Sequence, residues 1–295
     1  MKRIAVIGSI NMDLVVETDI IPKKGETVLG NNFFTSPGGK GANQAVAAAR
    51  LGGDVSIFGS IGTDQNGLSL KENLINEAVD VTHLNIVDDV ASGVAIIEIC
   101  ENDNRIIVVP GANDYTNVEY LTKVSEALLL YDVIIMQLEI PLESIQFIVQ
   151  FLAEYQKVII LNPAPAVPLP EDLVNKLSYI TPNEHEYQIV LNTTENMEEV
   201  LQKYPNKLLI TRGKEGVTYY DGGQTVTVPC INVDVVDTTG AGDTFTGAFG
   251  VAISEGQSIH AAIEFANIAA GLSITRMGAQ KGMPTRQEVQ EKRKV

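Results

Sequence analysis

The chain has 295 residues, of which 45% are hydrophobic, so it can bury a core of the size expected for one large α/β domain. Its formal net charge of −16 argues against nucleic acid and anionic membrane surfaces as partners, and no stretch approaches the ~20 apolar residues of a membrane-spanning helix. Two widely separated cysteines, without C-x-x-C spacing, and the lack of a signal-peptide pattern predict a cytoplasmic location.

Short apolar runs alternate with helical patterns along most of the chain. This rhythm indicates β-α-β units around a mostly parallel sheet with helices on both faces, a three-layer α/β/α fold. A further strand end at 233–236 is predicted to lead into a helix that begins near residue 241. The predicted strands are residues 4–7, 55–57, 133–136, 158–161, 177–180 and 208–210, and the predicted helices are 43–51, 68–77, 142–154, 184–191 and 197–203.

Two regions, at about 12–35 and 92–110, interrupt this rhythm with alternating apolar residues and no helix. Residues 94–99 and 105–109 are predicted to form a hairpin across the polar turn 101–104. We expect these segments to form a small separate β-sheet that serves as a lid or a dimer surface. No linker rich in Pro, Gly or Ser separates them from the remainder, so we predict one domain, 1–295, with an inserted lid.

Polar residues near the N-terminus suit a ligand with many hydroxyls. Asn11 and Asp13 follow the first predicted strand, and Asn43 lies about one turn into the next helix. Amides and carboxylates pair with both hydroxyl donors and acceptors. Glycines at 38 and 39 allow close backbone approach to a ligand, while Lys40 would either contact a phosphate or be exposed to solvent.

Four further strand ends carry polar groups. They are Glu139, Asn162, the pair Asn183 and Glu186, and the basic, Gly-rich loop 211–216. Any one of them could cap a helix or form a turn. Because ligands of open α/β sheets bind at the carboxyl ends of the strands, four in succession predict a single ligand-binding rim.

The run 237–245 carries the strongest chemical signal. Gly240, Ala241 and Gly242 lie where a helix begins, and free N–H groups and the helix dipole favour an anion there. The carboxylate of Asp243 stands beside them, as a base would for moving a phosphoryl group onto a hydroxyl. The alternative is a tight turn in which Asp243 only stabilises the helix start. Neither a P-loop nor a G-x-G-x-x-G follows a strand.

Together, residues 38–45 and 237–245 resemble the paired signatures of the ribokinase-like (phosphofructokinase-B type) carbohydrate kinases. Asn183 and Glu186, in the spacing N-x-x-E, resemble the third motif of that family. The resemblance covers essentially the whole chain, with the motifs in the family's order.

The resemblance implies ATP-dependent phosphorylation of D-ribose at its primary 5-hydroxyl. Asp243 would be the general base, and the N–H groups around 240–242 would form the anion hole. Another small sugar such as 2-deoxyribose or fructose, or a nucleoside, remains an alternative substrate. A non-catalytic sugar or nucleotide sensor and, less well supported, a dehydrogenase remain as alternative function classes. The implied cofactors are ATP, Mg²⁺ and a monovalent cation, K⁺, and a homodimer through the lid sheet is expected.

The residues implied for each ligand follow from the matched motif positions. The sugar would contact Asn11, Met12, Asp13, Gly39, Lys40, Gly41, Ala42, Asn43, Glu139 and Asp243. ATP would contact Asn183, Thr211, Arg212, Gly213, Lys214, Glu215, Gly216, Gly242, Asp243 and Asn267, with Mg²⁺ near Asn183 and Glu186. The monovalent cation would lie at Asp237, Thr239, Ser273, Arg276, Gly278 and Gly282. Gly282 stands where the family often carries Ser, so the cation would lose one oxygen ligand there or use a backbone or water oxygen.

Overall fold

A computed structural model describes residues 2–101 and 103–293. Positions 1, 102, 294 and 295 of the predicted domain, including one position of the predicted hairpin turn, lie outside the described residues. The strands are β1 (Arg3–Ile7), β2 (Asn11–Glu17), β3 (Asn32–Gly38), β4 (Asp54–Phe58), β5 (Ser60–Gly62), β6 (Asn85–Val87), β7 (Gly93–Cys100), β8 (Asp103–Val109), β9 (Val133–Met136), β10 (Val158–Leu161), β11 (Tyr179–Ile180), β12 (Ile210–Thr211), β13 (Val217–Tyr220) and β14 (Thr225–Val228).

The helices lie between and after these strands. They are α1 (Lys40–Arg50), α2 (Gln65–Asn76), α3 (Val118–Leu128), α4 (Leu142–Ala153), α5 (Glu171–Lys176), α6 (Glu186–Val190), α7 (Met197–Lys203), α8 (Ala241–Ser254), α9 (Ile259–Ser273), α10 (Ala279–Gly282) and α11 (Arg286–Arg293). None of those in the described chain is both long enough and apolar enough to cross a bilayer.

The central sheet is parallel, in the order β11-β10-β9-β1-β4. Successive residues of β1 point to opposite faces of this sheet. Ile4 and Val6 belong to the core formed with α1, α8 and α9, whereas Ala5 and Ile7 belong to the core formed with α3 and α4. Each buried large aliphatic side chain stabilises the fold by roughly 1.5–3 kcal/mol. The predicted three-layer α/β/α architecture is confirmed.

A second, four-stranded sheet, which we call the lid sheet, has the order β3-β2-β7-β8. Strand β2 pairs antiparallel with β3 and parallel with β7, so Asn11 lies beside Gly38 and Gly93 at the root of the lid sheet. The predicted hairpin is β7 and β8, which pair antiparallel. The lid sheet leaves large apolar side chains exposed to solvent, among them Phe33, Phe34, Ile96, Ile106 and Ile107.

Some predicted boundaries were wrong. Residues 233–236 form no strand, because the backbone N–H of Val236 bonds to the Ile274 carbonyl at the end of α9 and not to a sheet edge. The predicted strand 177–180 shrinks to β11, since Leu177 still closes the last turn of α5. The predicted strand 208–210 moves to β12, and Leu208 contributes only a single parallel bridge to Ile180.

Candidate active site

Helix α8 begins at Ala241, as the sequence predicts, after Gly240 in the left-handed conformation (φ 77°). The N–H of Ala241 donates to the Thr238 carbonyl at 3.2 Å. Within the described residues, the N–H groups of Gly242 and Asp243 have no acceptor. The space above Gly242 is open, with no atom within 4 Å of where a Cβ would lie. These features give α8 an accessible, electropositive N-terminus that is suited to an anion.

The carboxylate of Asp243 is held by two side-chain amides of α1. Its Oδ2 accepts a hydrogen bond from Asn43 Nδ2 at 2.9 Å, and its Oδ1 accepts one from Gln44 Nε2 at 3.0 Å. Asp243 is only 7% exposed. Each carboxylate oxygen has two acceptor positions, so both keep one for a further donor such as a hydroxyl. Asp243 is therefore fixed in orientation and still able to accept a proton.

Two more polar side chains of the site are Asn11, at the start of β2, and Glu139, which follows β9. Asn11 Oδ1 accepts a hydrogen bond from Asn113 Nδ2 at 2.7 Å, so the Asn11 amide has its N–H₂ group left to offer a ligand. Glu139 Oε2 accepts from the Ser9 hydroxyl at 2.6 Å and from the backbone N–H of Lys40 at 3.1 Å. Both side chains are thus oriented by the protein before a ligand arrives.

Asp13 lies on β2 with its carboxyl group over the Cα of Gly38. A Cβ at Gly38 would come within 2.3 Å of Asp13 Oδ2, which explains why a residue without a side chain stands there. Burial raises the pKa of Asp13 to about 7, and the carboxylates of Glu139 and Asp243 add to the shift. Three carboxyl groups thus face one space, which favours a ligand that donates several hydrogen bonds.

Lys40 is a positively charged side chain that lies near three carboxylates of the site. Burial alone would lower its pKa, but three nearby carboxylates outweigh that effect and raise the pKa above its usual value. Those carboxylates are Asp243, Glu139 and Glu186. Lys40 therefore stays charged and also lines the cavity in front of α8.

Two cavities meet at the start of α8. The smaller, about 180 Å³, is lined by Lys40, Asn183, Glu186 and Asp243 together with Gly240, Ala241 and Gly242. The larger, about 570 Å³, is mostly apolar and extends from Gly242 along residues of the 230–235 segment and α9. Its size fits a nucleoside, and the smaller cavity beside it fits phosphate groups.

The loop after β12 forms one wall of the larger cavity. Thr211, Gly213, Lys214 and Gly216 line it. Arg212 instead forms an ion pair with Glu215 at 2.5 Å, so these two predicted contact residues are engaged with each other. The loop thus offers the cavity backbone groups and one lysine.

Asn267 lines the same cavity from α9 and is 5% exposed. Its Nδ2 donates to the carbonyls of Val228 and Pro229 at 2.9 and 3.1 Å. These bonds tie the end of β14 to α9, so Asn267 shapes the cavity wall in addition to bordering the space.

Asn183 and Glu186 lie at the start of α6 and cap each other. Asn183 Oδ1 accepts from the backbone N–H of Glu186 at 2.9 Å, and Glu186 Oε2 accepts from the N–H of Asn183 at 2.8 Å. Glu186 Oε1 accepts no hydrogen bond from the described residues, and Glu186 is among the residues that line the smaller cavity. The described residues contain no group of three or more His, Cys, Asp or Glu side chains that could hold a metal ion.

The six residues predicted for a monovalent cation come together beside α8. Asp237 Oδ1 accepts from the N–H and hydroxyl of Thr239, and its Oδ2 accepts from the N–H of Gly278. Burial raises the pKa of Asp237, but these hydrogen bonds outweigh it and hold the pKa below its usual value. A Cβ at Gly282 would lie 2.4 Å from the Ser273 carbonyl oxygen and 3.4 Å from that of Arg276. Carbonyl oxygens therefore converge on the position where a serine would stand.

Several residues of the site were missed by the sequence reading. Gln44 lies within a recognised motif but was not singled out, and the others carry no local signal because their partners are distant in sequence. They are Ser9, Gln44, Asn113, Gln137 and Gln280.

The site combines an anion-binding helix N-terminus with a buried carboxylate, and a cavity of nucleoside size opens beside them on a parallel α/β sheet. This combination is typical of a phosphotransferase that acts on a small polyhydroxylated molecule. The family model of the pfkB family carbohydrate kinases matches residues 1–286, and the chain belongs to that family.

Individual relatives are similar over their full length. The chain is 48% identical over 291 residues to a ribokinase of Bacillus subtilis (strain 168), covering 99% of each. It is also similar to the crystal structure of a ribokinase from Thermotoga maritima, with 34% identity, a TM-score of 0.92 and complete coverage of both chains. The structure of an Arabidopsis thaliana ribokinase complexed with ribose and ATP has 30% identity, a TM-score of 0.88 and 98% coverage of both.

Proposed function

We propose that this chain transfers the γ-phosphoryl group of ATP to the primary 5-hydroxyl of D-ribose. The observation that carries the proposal is the buried carboxylate of Asp243 beside the free N–H groups at the start of α8. Membership of the carbohydrate kinase family and the full-length similarity to ribokinases, one of them complexed with ribose and ATP, support the choice of substrates.

In this mechanism Asp243 accepts the proton of the attacking hydroxyl. A primary alcohol is a very weak acid, so proton transfer accompanies the bonding of the hydroxyl oxygen to phosphorus and need not precede it. The N–H groups of Gly242 and Asp243 donate to the oxygens of the transferring phosphoryl group, where negative charge is concentrated. A positioned base contributes roughly 10²–10⁴-fold to the rate.

The sugar would lie between the root of the lid sheet and the start of α1. Asn11 offers N–H donors to a hydroxyl oxygen, while the carboxyl groups of Asp13 and Glu139 accept hydrogen bonds from hydroxyls. Asn43 contributes the second proton of its Nδ2, the first being donated to Asp243. The backbone of 39–42 and the side chain of Met12 would complete the contacts.

The nucleotide would place its base and ribose in the larger cavity and its phosphates in the smaller one. Lys40 supplies positive charge beside the phosphates in the smaller cavity, and Lys214 supplies it in the larger one; the net charge of −16 otherwise disfavours an anionic ligand. Glu186, through its uncommitted Oε1, and Asn183 would hold Mg²⁺ through water molecules. Bound there, the ion would neutralise charge on the phosphate oxygens.

The Asp237 group fits a monovalent cation such as K⁺. Two carbonyl oxygens, those of Ser273 and Arg276, are close to Gly282, and Asp237 supplies the negative charge. Serine at 282 would place its Cβ against the Ser273 carbonyl, so backbone oxygens take the place of that side chain in this chain. The cation would stabilise the loop that precedes α8.

Exposed apolar side chains of the lid sheet support a homodimer. The strand register puts Phe33, Ile96 and Ile107 on one face of that sheet, and exposed apolar patches of this kind mark interaction surfaces. A second copy of the lid sheet is the occupant we propose.

The proposal is tested by measuring ADP formation with ATP, Mg²⁺ and K⁺ against D-ribose, 2-deoxyribose, fructose and a nucleoside. A site built to bond a hydroxyl rejects the analogue that lacks it by up to ~10⁴–10⁵-fold, so ribose should have the highest kcat/KM. Higher kcat/KM for 2-deoxyribose or a nucleoside would contradict the substrate. No sugar-dependent ADP at all would favour a non-catalytic binding protein.

A further inference from the structure

Gln280, on α10, is connected to the proposed base through one intervening side chain. Its Nε2 donates to Asn43 Oδ1 at 3.0 Å, and Asn43 Nδ2 in turn donates to Asp243 Oδ2 at 2.9 Å. Its Oε1 accepts from Asn73 Nδ2 at 2.9 Å. Gln280 is 4% exposed and Asn43 is 7% exposed, so solvent competes little for these bonds.

The chain of hydrogen bonds has only one consistent direction. An ionised carboxylate can only accept, so Asn43 must turn its Nδ2 toward Asp243 and its Oδ1 away from it. The group that meets Asn43 Oδ1 must therefore be a donor, and Gln280 supplies it. If Asn43 turned over, its Oδ1 would face an Asp243 oxygen at hydrogen-bond distance with no proton between them.

Gln280 is itself held firmly. Arg50, at the end of α1, donates to the backbone carbonyls of Gln280 and Met283 at 2.6 and 2.9 Å. The same guanidinium pairs with Glu77 at 2.6 Å, so it cannot readily swing away. The helix that carries Asn43 therefore also anchors the segment that orients the Asn43 amide.

We propose that Gln280 is a positioning residue for Asp243, acting through Asn43; this rests on the proposed kinase function. Gln280 fixes the Asn43 amide so that one Nδ2 proton orients the base and the other meets the sugar. It does not touch the nucleotide cavities, whose lining does not include it. Loss of Gln280 should accordingly affect turnover and sugar binding and leave the nucleotide untouched.

Gln280→Glu tests this with almost no change in shape. The new carboxylate can only accept, so it would face Asn43 Oδ1 without a proton between them and would compete with Asp243 for Asn43 Nδ2. We expect kcat with ribose to fall about 10²-fold, because small misplacements of a reacting group cost that much. The KM for ribose should rise severalfold, while the KM for ATP stays within about twofold.

Gln280→Met adds no charge and removes both the donor to Asn43 and the acceptor for Asn73, so a smaller fall in kcat than in Gln280→Glu is expected, again without a change in the KM for ATP. Gln287→Glu, the same chemical change on α11, should behave as the wild type. The thermal midpoint of each variant is measured in parallel.

Wild-type kcat in Gln280→Glu overturns the proposal. The proposal is also overturned if both variants show the same rise in the KM for ATP, the same fall in kcat and the same fall in thermal midpoint. Such changes indicate a general structural role. A wild-type chain that phosphorylates no sugar would instead overturn the proposed function, and the positioning role with it.

Discussion

Asn43 and Asp243, 200 positions apart in the chain, are joined by a hydrogen bond of 2.9 Å between Asn43 Nδ2 and Asp243 Oδ2. This bond links α1, which follows strand β3 of the lid sheet, to α8, which begins at the proposed anion hole. The two helices approach closely because Gly247 faces the backbone of α1: a Cβ there would lie 2.7 Å from the Gln44 carbonyl. The proposed sugar contacts and the proposed base thus belong to one rigid junction.

Asp13→Asn should change how stability depends on pH. The pKa of Asp13 is raised from 3.8 to about 7 in the folded protein, so the native state binds the proton more tightly than the unfolded chain. Its stabilising contribution is complete below about pH 4 and is lost as the pH rises to about 7. The loss amounts to about 4 kcal/mol.

Urea unfolding at pH 5 and pH 8 measures this effect. Asp13→Asn should be more stable than the wild type at pH 8 and should bind ribose more weakly. Asp88→Asn, at an exposed position, is the control and should leave the pH dependence unchanged. A wild-type stability that does not decline between pH 5 and pH 8 relative to Asp13→Asn would contradict the shift.

Two alanine substitutions in α8 should have opposite consequences. Gly242→Ala meets no neighbouring atom, so the free energy of unfolding should change by less than about 1 kcal/mol. Its methyl group projects into the proposed phosphoryl site, however, and kcat should fall at least tenfold. Gly247→Ala would press on the Gln44 carbonyl and should destabilise the fold by about 1–3 kcal/mol.

Chemical denaturation measures the free energy of unfolding of both variants, and steady-state kinetics measures their kcat. Full activity in Gly242→Ala would argue against a phosphoryl group above that residue. A wild-type free energy of unfolding in Gly247→Ala would show that α1 and α8 can move apart at little cost.

Asp237→Ala should abolish stabilisation by K⁺. In the wild type, saturating KCl should raise the thermal midpoint on the order of 2–4 °C above that in choline chloride, because a ligand that binds only the folded state stabilises it. Asp234→Ala, at an exposed position three residues earlier, should retain the increase. An equal increase in Asp237→Ala would place the cation elsewhere, and this readout needs no catalytic activity.

Ile107→Lys should convert the proposed dimer to a monomer. Ile107 is 64% exposed on β8 of the lid sheet, and a charge there would have to be desolvated in an interface. Sedimentation velocity compares it with Ile189→Lys, which alters an apolar side chain of 49% exposure on α6. A wild-type chain that sediments as a monomer would contradict the dimer.

The pattern of apolar residues along the sequence was sufficient to predict the three layers and the lid sheet. Continuous apolar runs such as β9 and β10 are fully or nearly fully buried, whereas β2 and β7 of the lid sheet are only partly buried. The strand end predicted at 233–236 was wrong because the spacing of its valines is also typical of a strand. In the structure Val235 and Val236 are more than half exposed, and Val235 lines the larger cavity.

Side-chain partners were harder to predict than elements. The start of α8 and the position of Asp243 follow from local residues, since a helix start needs small residues and free N–H groups nearby. The two amides that hold Asp243 are 200 and 199 positions away from it, and the bond between Gln280 and Asn43 spans 237 positions. No local pattern in the sequence specifies those contacts.

The central claim is that Asp243 accepts the proton of the sugar hydroxyl during phosphoryl transfer. The most direct measurement is the kcat for ribose phosphorylation by Asp243→Asn, with ribose binding measured by calorimetry and folding by thermal denaturation. We expect a folded protein that binds ribose and loses roughly 10²–10⁴-fold in kcat. Near wild-type kcat in a folded, ribose-binding Asp243→Asn would contradict the account.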